Sequence, residues 1–386
     1  MIPYSRQEIS EADIAEVESV LRSNFLTQGP TVSKFEKSVA KYCGALHAVA
    51  VNSATSALHI ACLALNLGHG DWVWTSPNSF VASANCGRYC GAKIDFVDID
   101  PFTYNLCTNE LEKKLVIAKK DNKLPKILIP VHFAGQSCNM KKIYSLSQEY
   151  GFRVIEDASH ALGGSYLNKP IGGCQYSDIT VFSFHPVKII TTGEGGMALT
   201  NNKEIANRMS RLSTHGITRD QDLMQPRPKN EIWNYQQIEL GFNYRLAEIP
   251  AALGISQMRR LDNFVSRRHI LQERYHQMLS DFPLTLPFQS QDCHSALHLY
   301  PIQIDLSRLN KTHSMIFNEL RENGLGVNLH YIPIYKQPYY QNLGYKVSDY
   351  PNTENYYNRA ISIPLFYSMT NKQQDEVVQV LKKVLK

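Results

Sequence analysis

The chain is expected to fold as an α/β protein: a large, mostly parallel sheet covered by helices over residues 1–250, and a smaller α+β part over residues 251–386. Three observations carry this expectation. Helical segments alternate with short apolar runs along the first part, the order of a parallel sheet covered on both faces. The pattern then changes near Pro250 to a long charged helical stretch. A length of 386 residues also exceeds what one core usually organises, which favours two parts.

Taken in order, "EISEADIAEVESVLRS" and "TVSKFEKSVAKYCG" have helical spacing. "HAVAVN" is a buried strand leading into "SATSALHIACLALNLG", a helix that starts at small hydroxyl residues. Further short strands are expected at "DWVWTS", "KIDFVDID", "KILIPVHF", "FRVIEDAS", "DITVFSFH" and "GGMALTN". Beyond Pro250, "AALGISQMRRLDNFVSRRHILQERYHQML" is expected as one long charged helix. A strand at "LHLYPIQIDL", a helix at "HSMIFNELRENG" and a last helix from about Asn371 follow. Ligands of such a fold bind at the carboxyl ends of the strands.

Bulk properties narrow the function classes. Hydrophobic residues make up 43% and charged residues 19%, an ordinary globular balance that argues against long disordered tails. A net charge of +5, scattered along the chain, gives nucleic-acid binding little support but leaves room for an anionic small molecule. No apolar run reaches the length of a membrane span and no signal-peptide pattern opens the chain, so a cytoplasmic protein is expected. The eight cysteines form no CxxC pair, which fits reduced thiols better than disulfides or zinc; Cys86 and Cys90 share a helix face as packing residues.

Three segments carry chemistry. In "VIEDASHALG" an apolar strand ends in Glu156 and Asp157, with His160 in the turn; a carboxylate there wants a cationic partner. Asp157 is otherwise a helix N-cap, and a metal site with His160 lacks a third ligand. In "NSATSALH" Ser53, Thr55 and Ser56 stand where free N–H groups and hydroxyls suit a phosphate, although any capped helix looks similar. In "FSFHPVKIITTGEGGM" Lys188 lies among Phe184, Val187, Ile189 and Ile190, surroundings that disfavour its charge and make the amine nucleophilic. The alternative is a solvated lysine at a strand end.

Together these groups specify pyridoxal 5'-phosphate: an amine for its aldehyde, a carboxylate for its ring nitrogen, and hydroxyls with helix N–H groups for its phosphate. Phosphate turn, aspartate and then lysine is also the chain order of the aspartate-aminotransferase-like fold (fold type I).

Seven segments, "LTQGPTVSKFEKSVAKYCG", "AVAVNSATSALH", "TSPNSFVASAN", "VIEDASHALGGSY", "SDITVFSFHPVKIITTGEGGMALTN", "GFNYRLAEIPAALG" and "HLYPI", resemble in order the DegT/DnrJ/EryC1/StrS sugar aminotransferases over nearly the whole chain. "SFHPVKIITT", "RLSTHGITRD" and "YQQIELGFNYR" are most similar to the family's pseudaminic-acid branch. The resemblance implies transfer of the amino group of L-glutamate to C4 of a UDP-linked 4-keto-6-deoxy-N-acetylhexosamine. The product would be UDP-4-amino-4,6-dideoxy-N-acetyl-β-L-altrosamine.

By the same resemblance, Lys188 bonds the cofactor, Asp157 partners its ring nitrogen, and His160 sits beside it near the phenolic oxygen. Phe80 stacks on its ring, a position otherwise read as plain core. Ala54, Thr55 and Ser183 hold its phosphate. Asn243 reaches the phosphate of the neighbouring subunit, which implies a homodimer with shared sites. Tyr4, Asn24, Phe25, Leu26, Thr27, His330 and Tyr331 fall in substrate-lining segments.

Three departures from the family pattern are Ala54 in place of glycine, Gly193 in place of alanine, and Pro250 early in a helix. Sugar 3-dehydratases of the family carry histidine where Lys188 stands, which argues against that reaction. Aminotransferases acting on dTDP- or GDP-linked 3-keto or 4-keto sugars share every cofactor residue. A non-catalytic cofactor-binding regulator is the alternative from another class.

Overall fold

In the computed structural model, which describes residues 1–228 and 230–386, seven strands form the principal sheet. They are β1 (His47–Val51), β2 (Trp72–Thr75), β3 (Lys93–Phe96), β4 (Ile127–Ile129), β5 (Arg153–Asp157), β6 (Ile179–Ser183) and β7 (Gly196–Thr200). Their spatial order is β1-β7-β6-β5-β4-β2-β3. Only β7 runs against the rest; β2, β3, β4, β5 and β6 pair in parallel.

Successive residues of β6 and β7 serve opposite cores, as the two-residue period of a strand requires. Val181 and Ala198 join Leu58, Ile60 and Ile155 on one face; Phe182, Met197 and Leu199 join Phe35 and Phe184 on the other. Burial on both faces explains why these strands are continuous apolar runs in the sequence.

Helices α1 (Glu11–Leu21), α2 (Pro30–Cys43), α3 (Ala54–Ala64), α4 (Ala82–Tyr89), α5 (Thr108–Lys120), α6 (Met140–Tyr150) and α7 (Lys203–Ser213) are threaded between and before the strands. The expected signals start them. Ser10 and Asp13 form a capping box on α1, and the Ser53 hydroxyl accepts the N–H of Ser56 at the head of α3.

The expected single helix after Pro250 is two. α8 (Glu248–Met258) and α9 (Leu261–Leu279) break at Arg259–Arg260. The break is held by ion pairs to the opposite helix: Arg260 to Asp13 at 2.5 Å and Arg259 to Glu16 at 2.9 Å, both carboxylates on α1. Pro250 stands in the first turn of α8, where no N–H is needed.

A second sheet, β8 (Leu284–Thr285), β9 (Tyr300–Ile304) and β10 (Ala360–Ile363), is antiparallel in the order β8-β9-β10. With α9, α10 (His313–Glu322) and α11 (Asn371–Val384) it encloses a core containing Leu271, Tyr275, Ile302, Ile316, Ile361 and Leu381. The N-terminal Ile2–Pro3 pairs with Leu325–Gly326, so the first residues lie against the C-terminal part. All eight cysteines are free thiols; Cys86 is buried and Cys90 partly so. Among the described residues, no helix is long and apolar enough to cross a membrane, and no cluster of three or more His, Cys, Asp or Glu could hold a metal ion.

Candidate active site

Strand β5 ends in two carboxylates that point to opposite faces. Glu156 accepts from the buried His132 imidazole at 2.7 Å and from Thr180 at 3.1 Å, with Ser177 also donating. Burial alone would raise its pKa, but His132 and the two hydroxyls hold it below the ordinary carboxylate range. Glu156 therefore serves the fold. Asp157, on the other face, opens on a cavity of about 500 Å³. Its Oδ2 accepts the Ser83 hydroxyl at 2.6 Å and its Oδ1 the Ser159 N–H at 3.2 Å. Ser83 in turn lies 2.7 Å from the Ser79 hydroxyl, one turn back along the entry to α4.

Lys188 reaches the same cavity from the loop between β6 and β7. That loop is pinned from within. Thr191 Oγ1 donates to the Phe184 carbonyl at 2.9 Å, Thr192 N–H donates to it at 3.0 Å, and Thr192 Oγ1 donates to the Glu194 carbonyl at 2.7 Å. Gly193 has φ of +81°, a left-handed conformation that glycine adopts without strain. Phe184, Ile189 and Ile190 are buried as expected. Burial brings the Lys188 ammonium down to about 8, against the opposing pull of Asp157. Among the described residues Lys188 forms no ion pair within 4.0 Å. The lysine is thus half-buried, with its charge disfavoured, and among the described residues it is not spent on an ion pair.

The third wall is the head of α3. Ser53, Ala54 and Thr55 border the cavity, and the N–H groups of Ala54 and Thr55 precede the first intrahelical donor, the Ala57 N–H that bonds the Ser53 carbonyl. A Cβ at Gly196 would come within 2.4 Å of the Ala54 nitrogen, so β7 presses its bare backbone against this turn and seats it. Ser183 lies alongside, at the end of β6. These groups suit the cofactor by kind: an unpaired amine, a carboxylate with acceptor capacity left, and free donors at a helix N-terminus for a phosphate.

Tyr4, Phe80, His160, His330 and Tyr331 also border this cavity. Phe80 is 59% exposed, so its ring has a face to offer. The expected contact of His160 with the cofactor's phenolic oxygen is not what the geometry favours. Its Nδ1 accepts the Ala134 N–H at 3.3 Å and its Nε2 lies 3.1 Å from Tyr331 Oη, so both nitrogens are engaged. Both nitrogens of His330 are engaged too, by Ser362 at 2.8 Å and Asn328 at 3.4 Å, which leaves its ring face as the contact.

Asn24, Phe25, Leu26, Thr27 and Asn243 are not brought to this cavity by the chain's own fold. The first four lie between α1 and α2, with Phe25 and Leu26 half exposed. Asn243 is exposed and bridges to Thr214, while the neighbouring Tyr244 carbonyl accepts the Asn52 N–H at 2.8 Å near the head of α3.

Two functional neighbours escape the sequence reading. Ser83 is signalled only by two serines one turn apart in "NSFVAS". His298 borders the cavity with its ring centroid 4.4 Å from that of His160 and its Nδ1 buried without a partner. Burial, His160 and Lys188 push its pKa well below the ordinary histidine range.

Residues 7–382 match the profile of the DegT/DnrJ/EryC1/StrS aminotransferase family. The chain belongs to that family. It is a pyridoxal-phosphate-dependent sugar aminotransferase with the α/β architecture of fold type I. It is 38% identical to the spore coat polysaccharide biosynthesis protein SpsC of Bacillus subtilis, over all of this chain and 97% of that protein. It is 36% identical to the UDP-4-amino-4,6-dideoxy-N-acetyl-β-L-altrosamine transaminase of Campylobacter jejuni, over all of this chain and 99% of the other. Among solved structures, Helicobacter pylori PseC, an aminotransferase of pseudaminic acid biosynthesis, is 30% identical. It superposes with a TM-score of 0.89, covering 100% of this chain and 99% of that one. A Streptococcus pneumoniae sugar aminotransferase homologue in its PLP form superposes at 0.87 with 27% identity, covering 100% of both chains.

Proposed function

We propose that this aminotransferase moves the amino group of L-glutamate to C4 of a UDP-linked 4-keto-6-deoxy-N-acetylhexosamine, forming UDP-4-amino-4,6-dideoxy-N-acetyl-β-L-altrosamine for pseudaminic acid biosynthesis. The observation that carries the chemistry is Lys188, half-buried and without an ion pair among the described residues, in the cavity that Asp157 floors. The likeness to the Campylobacter transaminase and to PseC supports the substrate.

Pyridoxal phosphate, when bound, supplies an aldehyde for amines and a ring that withdraws electrons from the reacting carbon. Every other part falls to this chain. Asp157, steadied by Ser83 and Ser159, would hold a proton on the ring nitrogen. The Ala54 and Thr55 N–H groups, with the Thr55 and Ser183 hydroxyls, would take the phosphate, and Phe80 would cover the ring. Lys188 Nζ, brought down to about 8, is partly neutral near pH 8, so it acts first as a nucleophile and then carries a proton between the two reacting carbons. Tyr4, His330 and Tyr331 face the sugar.

The proposal includes a division of labour between residues 1–250, which hold the cofactor, and the smaller part 251–386. It also includes a homodimer. Ile232, Trp233 and Leu240, 93%, 71% and 81% exposed, form an apolar arm of the kind that a partner subunit covers. Asn243 lies at the root of that arm and would enter the partner's site with Asn24, Phe25, Leu26 and Thr27.

The substrate is tested by incubating the holoenzyme with glutamate and a panel of 4-keto nucleotide sugars, then fixing the configuration of the aminated carbon. Amination of the UDP-linked sugar at C4 is expected. Reaction confined to dTDP- or GDP-linked sugars would overturn the substrate assignment and leave the family intact.

A further inference from the structure

We propose that Tyr331 is the oriented hydrogen-bond donor of this site, and that His160 is the positioning residue that aims it at an oxygen of the bound ligand. The direction of donation follows from the protons these groups carry. The Ala134 amide can only donate, so His160 Nδ1, 3.3 Å away, is an acceptor and carries no hydrogen. Burial, Lys188 and His330 push the His160 pKa well below the ordinary range, so the ring is neutral and its one hydrogen sits on Nε2. That hydrogen is donated to Tyr331 Oη, 3.1 Å away. The phenol therefore accepts from His160 and must send its own hydrogen elsewhere. Among the described residues it has no second partner, and it borders the cavity with Lys188 and Asp157.

The surroundings hold the phenol in place. Its backbone N–H donates to Asn78 Oδ1 at 3.3 Å, and the ring lies edge-on to Phe133 and 6.3 Å from it. Burial, with Asp157 and Tyr4 beside it, raises its pKa far above the usual value, so the group keeps its proton through the working pH range. It polarises without ionising. A fixed neutral donor facing the cavity is most useful to an oxygen that carries or gains negative charge. Two oxygens of that chemistry would reach this cavity: the cofactor's phenolic oxygen, and the substrate carbonyl that becomes water as the carbon–nitrogen bond forms.

The inference rests on the aminotransferase reading, and the test separates the two. Wild-type and Tyr331→Phe holoenzyme are compared by the pH titration of the visible absorption of bound cofactor, without substrate. They are also compared by single turnover of the aminated form with 2-oxoglutarate and with the UDP-linked 4-keto sugar. Donation to the cofactor predicts a shift of about one pH unit in the absorption midpoint, a tenfold change in its equilibrium. Donation to the carbonyl predicts an unchanged midpoint and a single-turnover rate lower by roughly 10²-fold. His160→Gln, whose amide still donates, should keep more of either signal than His160→Leu. A Tyr331→Phe enzyme with wild-type midpoint and wild-type rates on both carbonyls overturns the proposal. A wild-type enzyme that ignores the UDP sugar overturns only the substrate assignment, because the absorption and 2-oxoglutarate arms still decide the tyrosine.

Discussion

The floor of the cavity and the arm around Trp233 are opposites. On the floor, Asp157, His160 and Ser83 are buried, each bonded to a partner brought from another segment, and the segments are ends of strands and helices inside two cores. On the arm, Ile232, Trp233 and Leu240 are largely exposed. The floor is built from buried side chains of one chain, and the arm presents apolar side chains to solvent. The contrast bears on the proposed dimer: Lys188, Asp157 and the head of α3 border the cavity from one chain, whereas the exposed arm would be covered only on association.

The largest test of that contrast is on the floor. Lys188→Ala should lower amino transfer by about 10³-fold or more, read as 2-oxoglutarate release from glutamate. A variant that turns over normally would remove the floor from the chemistry. Next is the shared site. Lys188→Ala and Asn243→Ala subunits, each impaired alone, should recover about a quarter of wild-type activity per subunit when mixed and re-associated, since a hybrid dimer rebuilds one intact site. Mixtures no better than their components would confine the site to one chain.

Ser83→Ala has a smaller effect, because it strips one donor from a buried carboxylate at a cost of about 1–3 kcal/mol. Cofactor retention on dialysis should weaken roughly tenfold or more, with the melting temperature of the apoprotein also lowered.

Lys188 also writes itself into the pH dependence of stability. Its folded pKa, about 8, lies below the unfolded value. Between the two, the unfolded chain binds more protons, so the lysine's penalty on the apoprotein is full below pH 8 and fades as pH rises toward 10. Apoprotein melts from pH 7 to 10 should show this relative gain in wild type and not in Lys188→Met. Least of all, Trp233→Lys should leave the stability of the single chain within about 0.5 kcal/mol while weakening association, read by sedimentation at falling concentration. Unchanged association would sever the arm from the interface.

Much of the floor was legible because its signals are local. A strand that ends in Glu156 and Asp157, a hydroxyl N-cap at Ser53, and a lysine after a buried aromatic each fit within a few residues. What was not legible depends on distant partners. The break at Arg260 answers to Asp13, far back in the chain, and no helix propensity at residues 259–260 announces it. The tautomer of His160 is decided by the Ala134 amide and the Tyr331 hydroxyl, two groups that only the folded backbone brings together. His298 looked like one residue of a strand, and only the cavity shows that its ring lies against His160.

One feature of the sheet governs how the two reacting groups are spaced. Asp157 lies opposite Val181 in the register of β5 with β6, and the segment bearing Lys188 leaves β6 and returns at once as β7, the one strand of reversed sense. The amine is therefore moored at both ends to neighbouring rungs of one ladder. Lengthening or shortening that short span would move the nitrogen relative to the carboxylate even if every side chain were kept, so this segment tolerates substitution better than a change in length.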